Sequence, residues 1–331
     1  MKVLIIGAAG MIGRKLAERL CADGKLGDKT IDELALVDII EPAAPSGIIP
    51  VVKTLAVDLR DANTPSLLID LQADVIFHLA AIVSGEAEID FDKGYAINLD
   101  GTRHLFEAIR ARHEQGDYMP RVVFASSIAV FGAPFPDKIY DDYHLTPLTS
   151  YGTQKAICEL LLSDHTRRGI FDGIGLRFPT ICIRPGVPNK AASGFFSNIL
   201  REPINGQSAV LPVADSVRHW FASPRAAVEF CLHAALIDGK RVGPRRNLSL
   251  PGLSATVSEQ IESLGRVVGS DAVKLIKLKN DPTIEAIVAG WPSDFDTPRA
   301  KELGFKSETS FDDIIRVYLA DEAGTQDPLL R

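Results

Sequence analysis

Residues 2–13, KVLIIGAAGMIG, decide the fold. Val3 to Ile6 read as a strand buried on both faces, and Gly7, Gly10 and Gly13 turn it directly into a helix running from Met11 to about Ala22. Such a unit gathers free backbone N–H groups and the positive end of a helix dipole at one point, where a pyrophosphate is favoured. Glycines alone could serve only a tight turn. The distinguishing feature is Asp38, closing the next strand, ELALVD (33–38), where a carboxylate can accept both ribose hydroxyls of an adenosine. A 2′-phosphate there would meet like charge, and DIIEPAAP (38–45) brings no Arg or Lys to offset it, so the expected cofactor is NAD rather than NADP.

Working outward, apolar runs and helical patterns keep alternating, the signature of a parallel sheet. Strands are expected at about 51–57, at DVIFHLAA (74–81), at RVVFASS (121–127) and at GIGLRFPT (173–180). Helices are expected at roughly 95–113 and over SYGTQKAICELLLSDHTRR (150–168). Beyond residue 182 the loop IRPGVPNKAASG leads to shorter elements, with helices near 194–202, 224–237 and 310–320. The expected class is α/β: a Rossmann-type doubly wound parallel sheet with a smaller C-terminal substrate-binding lobe. Its NAD-binding part spans 1–181 and the lobe mainly 182–331, with some late segments returning to the sheet.

Composition narrows the class. With 331 residues, 46% hydrophobic, 24% charged and a net charge of −7, the chain suits a globular enzyme and offers no basic face for nucleic acid or anionic membranes. No stretch reaches the roughly 18 apolar residues of a membrane span, and the N-terminus lacks a signal-peptide pattern, so a cytoplasmic location is expected. Cys21, Cys158, Cys182 and Cys231 show no CxxC pairing and no metal-ligand spacing, which reads as structural thiols and no metal.

Tyr151 and Lys155, in SYGTQK, lie four residues apart on one helical face. Alone they could be a surface pair. With a dinucleotide at the strand ends they gain a chemistry, because oxidising an alcohol needs a base for the hydroxyl proton while the C–H gives hydride to a nicotinamide. A phenol ordinarily near 10 needs about 4 kcal/mol to reach neutrality, roughly what one cation at 4 Å supplies at an effective dielectric of 20. Lys155 is expected to supply it, helped by the oxidised nicotinamide ring, and to hold the nicotinamide ribose, while Ser127, at the end of the fifth strand, orients the substrate oxygen.

Taken together, GAAGMIG, Asp38, VDLRD (57–61), HLAA (78–81), NLDGT (98–102), SSIAVFG (126–132) and SYGTQK resemble the extended short-chain dehydrogenases/reductases, the NAD-dependent epimerase/dehydratase group, over nearly the whole chain. The resemblance implies a catalytic set of Ser127, Tyr151 and Lys155. It implies cofactor contacts from Gly7, Gly10, Met11, Ile12, Gly13, Asp38, Leu79, Ala80, Ala81, Tyr151, Lys155 and Pro179, and from Asp58 and Leu59 at the adenine end. Asn98 supports the site, although it could instead cap its helix, and Asp58 could be a plain turn aspartate. Phe131 stands where many members carry Tyr. A homodimer packed through the helices beginning near 95 and 150 is also implied.

The substrate class is less constrained. Sugar-nucleotide epimerases place an Asn three residues after the sixth-strand Arg; here Arg177 is followed by FPT, so Thr180 stands there. IVAGWPSDFDTPRAKELGF (287–305) lacks a further diphosphate-binding Arg, leaving Arg218 of SVRHWFASPR. These departures favour a small sugar acid oxidised at its C2 hydroxyl to the 2-oxo acid, and HLAAIVSGEAEIDFDKGYAINLDGTR (78–103) resembles family members with such substrates. A sugar-nucleotide epimerase or dehydratase holding NAD tightly is the alternative, and a silent NAD-sensing protein a third. Candidate substrate contacts are Ser84, Ser126, Ser127, Thr180, Arg184 and Arg218, although Ser126 could merely satisfy backbone groups and Arg184 could be an ordinary loop arginine.

Overall fold

The computed structural model describes residues 1–116, 118–186 and 192–322. Its centre is a seven-stranded, all-parallel sheet. In chain order the strands are β1 (Lys2–Ile6), β2 (Glu33–Asp38), β3 (Val51–Ala56), β4 (Val75–His78), β5 (Arg121–Ser127), β6 (Asp172–Phe178) and, after two strands of a smaller sheet, β9 (Asn247–Ser249). Across the sheet they run β3-β2-β1-β4-β5-β6-β9. The order reverses between β1 and β4, and such a switch opens a crevice at the carboxyl ends of the strands. Ile6 sits between Val37 and His78, so Gly7 emerges at the mouth of that crevice.

Apolar side chains cover both faces of this sheet, as parallel strands require. One core gathers Ile5, Leu16, Phe77, Leu176 and Phe230; the other gathers Leu4, Ile76, Phe106, Phe124 and Leu162. Phe77, Phe106 and Phe124 are fully buried, each worth about 1.5–3 kcal/mol against exposure. The covering helices include α1 (Met11–Asp23), α2 (Thr102–His113), α3 (Ser150–Arg167) and α5 (Pro224–Leu236), while α4 (Gly194–Ile204) belongs to the second part.

After β6 the chain passes Pro179 into a second, three-stranded sheet of β7 (Thr180–Ile181), β8 (Arg218–Ala222) and β10 (Leu253–Thr256), in the order β10-β8-β7. A separate core of Phe196, Ile199, Leu200, Phe221, Ile314 and Ile315 packs these strands with α4 and the last helix, α6 (Phe311–Asp321). Two late segments come back to the large sheet, α5 on its face and β9 at its edge.

One helix differs from expectation. The segment read as a single helix from 95 begins as a π-helical stretch, Tyr95–Gly101, before α2. The side chain of Thr102 donates to the Asn98 carbonyl at 2.8 Å, and Cys158 reaches the same oxygen at 3.3 Å. Among the described residues no helix is long and apolar enough to cross a membrane.

Candidate active site

The crevice holds a cavity of about 450 Å³, walled by the glycine loop, the ends of β4 and β5, the start of α3 and the β7–β8 sheet. Gly7 has φ +96°, and a Cβ there would lie 2.5 Å from the Ala80 nitrogen. At Gly13 a Cβ would lie 2.1 Å from the Gly7 carbonyl oxygen. Only glycine allows the loop, β4 and α1 to approach this closely. No side chain caps α1 and no acidic residue stands in its first turn, leaving the amides around Met11 and Ile12 for an anion.

Asp38 ends β2 with each carboxylate oxygen accepting one amide, from Ala9 at 2.9 Å and Ile39 at 2.7 Å. A carboxylate has about four acceptor sites, so two remain for ribose hydroxyls. Loop, helix terminus and carboxylate fit a dinucleotide. Asp58 is engaged by Arg60, whose guanidinium holds the carboxyl below its usual range, and the buried Leu59 lies outside the cavity. Leu79 and Ala81 line the cavity; Ala80 backs the loop instead. Asn98 is buried and caps nothing: its Oδ1 accepts from the Ile82 amide at 2.9 Å and its Nδ2 donates to Gln154 at 2.8 Å, pinning the β4 exit.

Ser127, Tyr151 and Lys155 meet on one side of the cavity. Thr149 caps α3 by accepting from the Gly152 amide, which fixes where Tyr151 emerges. Burial pushes the Tyr151 phenol up to about 12, while a hydrogen bond with Ser127 and the Arg184 cation pull it down. The expectation from sequence is that Lys155 lowers the phenol with help from an oxidised nicotinamide ring; in the protein by itself the groups that lower it are Ser127 and Arg184. The Lys155 ammonium, 1% exposed, donates to the Ala125 carbonyl at 2.8 Å and stands 5.8 Å from the Tyr151 ring centre. Burial lowers its own value to about 8.

The substrate candidates divide. Ser84 and Pro179 line the cavity, and so does Arg184. Arg184 donates from Nε to the Ile181 carbonyl at 3.0 Å and from Nη2 to Ser193 Oγ at 3.0 Å, and among the described residues no carboxylate pairs with it. Burial lowers its value. Among the described residues its hydrogen-bond partners are neutral, and its charge acts on the phenol. Ser126 touches the cavity, yet its hydroxyl donates to Glu159 at 2.6 Å, within a buried cluster where Arg177 grips both Glu159 oxygens at 2.9 and 2.8 Å. Phe131 stacks 5.0 Å from that guanidinium.

Arg218 does not reach the cavity. It is exposed, donates to Ser254 and pairs with Glu259. Successive strand residues point to opposite faces, so its neighbour His219 is the one that turns inward. His219, Ser193 and Trp291 line the cavity and were missed by the motif reading. The alternation in RHWFA is the signal for His219, whereas the stretch around Trp291 carries no motif that marks the ring.

Burial pushes the thiols of Cys158 up to about 11 and of Cys182 and Cys231 up to about 12, as inert buried cysteines require. All four cysteines are free and buried.

The NAD dependent epimerase/dehydratase family model matches residues 3–233. D-erythronate dehydrogenase of Cupriavidus necator is 45% identical over 97% of this chain and 98% of its own length, and that of Haemophilus influenzae is 42% identical over 96% and 99%. A solved structure described as a nucleoside-diphosphate-sugar epimerase from Agrobacterium tumefaciens superposes with a TM-score of 0.96, at 62% identity, covering 98% of this chain and 95% of that one. The fold of a Thermus thermophilus UDP-glucose 4-epimerase in complex with NAD is shared at a TM-score of 0.76 and 20% identity. A dinucleotide cradle, a serine–tyrosine–lysine set at the switch point and a family match across most of the sequence agree: the chain belongs to the NAD-dependent epimerase/dehydratase family of extended short-chain dehydrogenases/reductases.

Proposed function

We propose that the protein is an NAD-dependent dehydrogenase of a small sugar acid, D-erythronate or a close analogue, which oxidises the C2 hydroxyl to the 2-oxo acid. The observation that carries this reading is Arg184, a cation whose charge acts on Tyr151, whose hydrogen-bond partners among the described residues are neutral and which a substrate carboxylate would complete. Tyr151 and Ser127 line the same cavity and are then left for the adjacent hydroxyl. Cavity size supports it, since about 450 Å³ must hold the nicotinamide end together with the substrate.

NAD, when bound, supplies the hydride acceptor and a positive ring. The chain supplies the rest. Ser127 holds the hydroxyl oxygen, Tyr151 takes its proton, and Lys155 would hold the nicotinamide ribose. Gly7, Gly10, Met11, Ile12 and Gly13 would cradle the pyrophosphate, Asp38 would hold the adenosine ribose, and Leu79, Ala81 and Pro179 would flank the nicotinamide. The two D-erythronate dehydrogenases similar to this chain over nearly its full length support the same substrate class.

A sugar-nucleotide epimerase remains the second reading, favoured by the description of the 62% identical structure. Against it stands Arg218, which faces away from the cavity and leaves a diphosphate without its expected clamp. Purified enzyme incubated with NAD and either D-erythronate or a panel of UDP-sugars separates the two. The dehydrogenase releases NADH in proportion to acid consumed; epimerisation without net NADH would overturn the proposal.

A further inference from the structure

Thr180 and His219 form a pair that the catalytic set does not use. They sit on the paired strands β7 and β8, with Thr180 Oγ1 2.6 Å from His219 Nε2. The imidazole is 2% exposed, stacked flat on Phe196 at 5.3 Å and 3°, and backed by Trp291 at 5.3 Å. It has no room to turn. Burial and the neighbouring Arg184 push it down to about 3, so the ring is neutral and carries one N–H.

The location of that proton follows from the surroundings. Nδ1 is buried without a well-formed hydrogen bond, and the polar group acting beside the ring is the Pro292 carbonyl. A carbonyl stabilises only a donor, which assigns the proton to Nδ1 and leaves Nε2 a lone pair. The Thr180 hydroxyl must then donate to Nε2. Its oxygen keeps only lone pairs for the cavity, which attract a hydroxyl and repel a carboxylate. Among the candidate substrate contacts, Thr180 is thus suited to a hydroxyl rather than to a carboxylate.

We propose that the Thr180–His219 pair is a specificity device that reads a second hydroxyl of the substrate, one that does not react. This rests on the hydroxy-acid reading above, in which Arg184 takes the carboxylate and Tyr151 with Ser127 the reacting hydroxyl. Thr180, on the small sheet, lines the same cavity and is left for what remains of a short polyhydroxy acid. A site built to bond a hydroxyl rejects the analogue lacking it, because the acceptor is then left unpaired.

The test compares kcat/KM, followed as NADH formation, for D-erythronate and its 3-deoxy and 4-deoxy analogues. Wild type is expected to prefer D-erythronate over one deoxy acid by at least about 30-fold. Thr180→Val should shrink that ratio to about threefold or less, Thr180→Ser should keep it, and His219→Phe, which frees the threonine proton, should cut it at least about fivefold. NAD binding followed by fluorescence identifies the folded variants, so either Thr180→Val or His219→Phe suffices. A ratio unchanged in the folded variants, or no discrimination by wild type, overturns the proposal. NADH from none of the three acids overturns the dehydrogenase reading itself and the proposal with it.

Discussion

The proposed reaction gives Tyr151 the role of base, and burial opposes that role. Burial holds its phenol near 12, so oxidation, which needs the phenolate, should accelerate as pH rises, while reduction of the 2-oxo acid should slow. Tyr151→Phe should lower kcat by about 10³-fold or more and flatten that dependence; a variant keeping wild-type slope would assign the base elsewhere. Arg184→Met should raise KM for the acid about 30- to 100-fold, leave KM for NAD nearly unchanged, and move the pH profile upward, because the same cation lowers Tyr151. Lys155 gives a stability test. Its folded value of about 8 lies below the ordinary 10.5, so burying the ammonium costs stability at and below pH 8, and the cost is relieved as pH rises toward 10.5. Against Lys155→Met, wild type should therefore gain about 3 kcal/mol in relative unfolding free energy between those two pH values, measured by denaturant titration.

At the scale of elements, the sequence is legible where one element carries its own signal. The β1–loop–α1 unit and the α3 motif are local; the strands and helices they imply stand where expected, and Ser127, Tyr151 and Lys155 line one cavity. Asp38 is legible for the same reason, closing a strand that pairs with β1 along its whole length. Asp38→Ser should narrow the preference for NAD over NADP by about 100-fold in kcat/KM, since a carboxylate facing a phosphate at about 4 Å costs one to a few kcal/mol. An unchanged preference would place cofactor selection on another group. Legibility failed where a side chain's direction depends on pairing. Arg218 and His219 differ by one residue, and only the register of β8 against β7 and β10 says which points into the cavity. β9, three residues long, is too short to show any period.

The whole molecule places its cavity where two separately packed cores meet, with Ser127 and Tyr151 anchored to the large sheet and Thr180, Arg184 and His219 to the small one. What keeps the large-sheet wall in place is the buried cluster beneath it. Glu159 of α3, fully buried, accepts from Ser126 of β5 and from both sides of the Arg177 fork of β6, and Arg177 also donates to the Asp141 carbonyl. A pair this deep adds little net stability over an apolar match, but removing one partner strands the other charge. Glu159→Gln should therefore cost about 3–5 kcal/mol, read as a fall of roughly 6 °C or more in Tm, with activity lost in parallel as α3 and Tyr151 shift. Pairing Glu159→Leu with Arg177→Met should restore much of the Tm without restoring full activity, because the Ser126 anchor and the stack on Phe131 are gone. If Glu159→Gln unfolds at the wild-type temperature, the cluster is not what fixes the helix bearing the phenol. The precision of the site would then have to come from the Thr149 cap and the Asn98–Gln154 bond at the other end of α3.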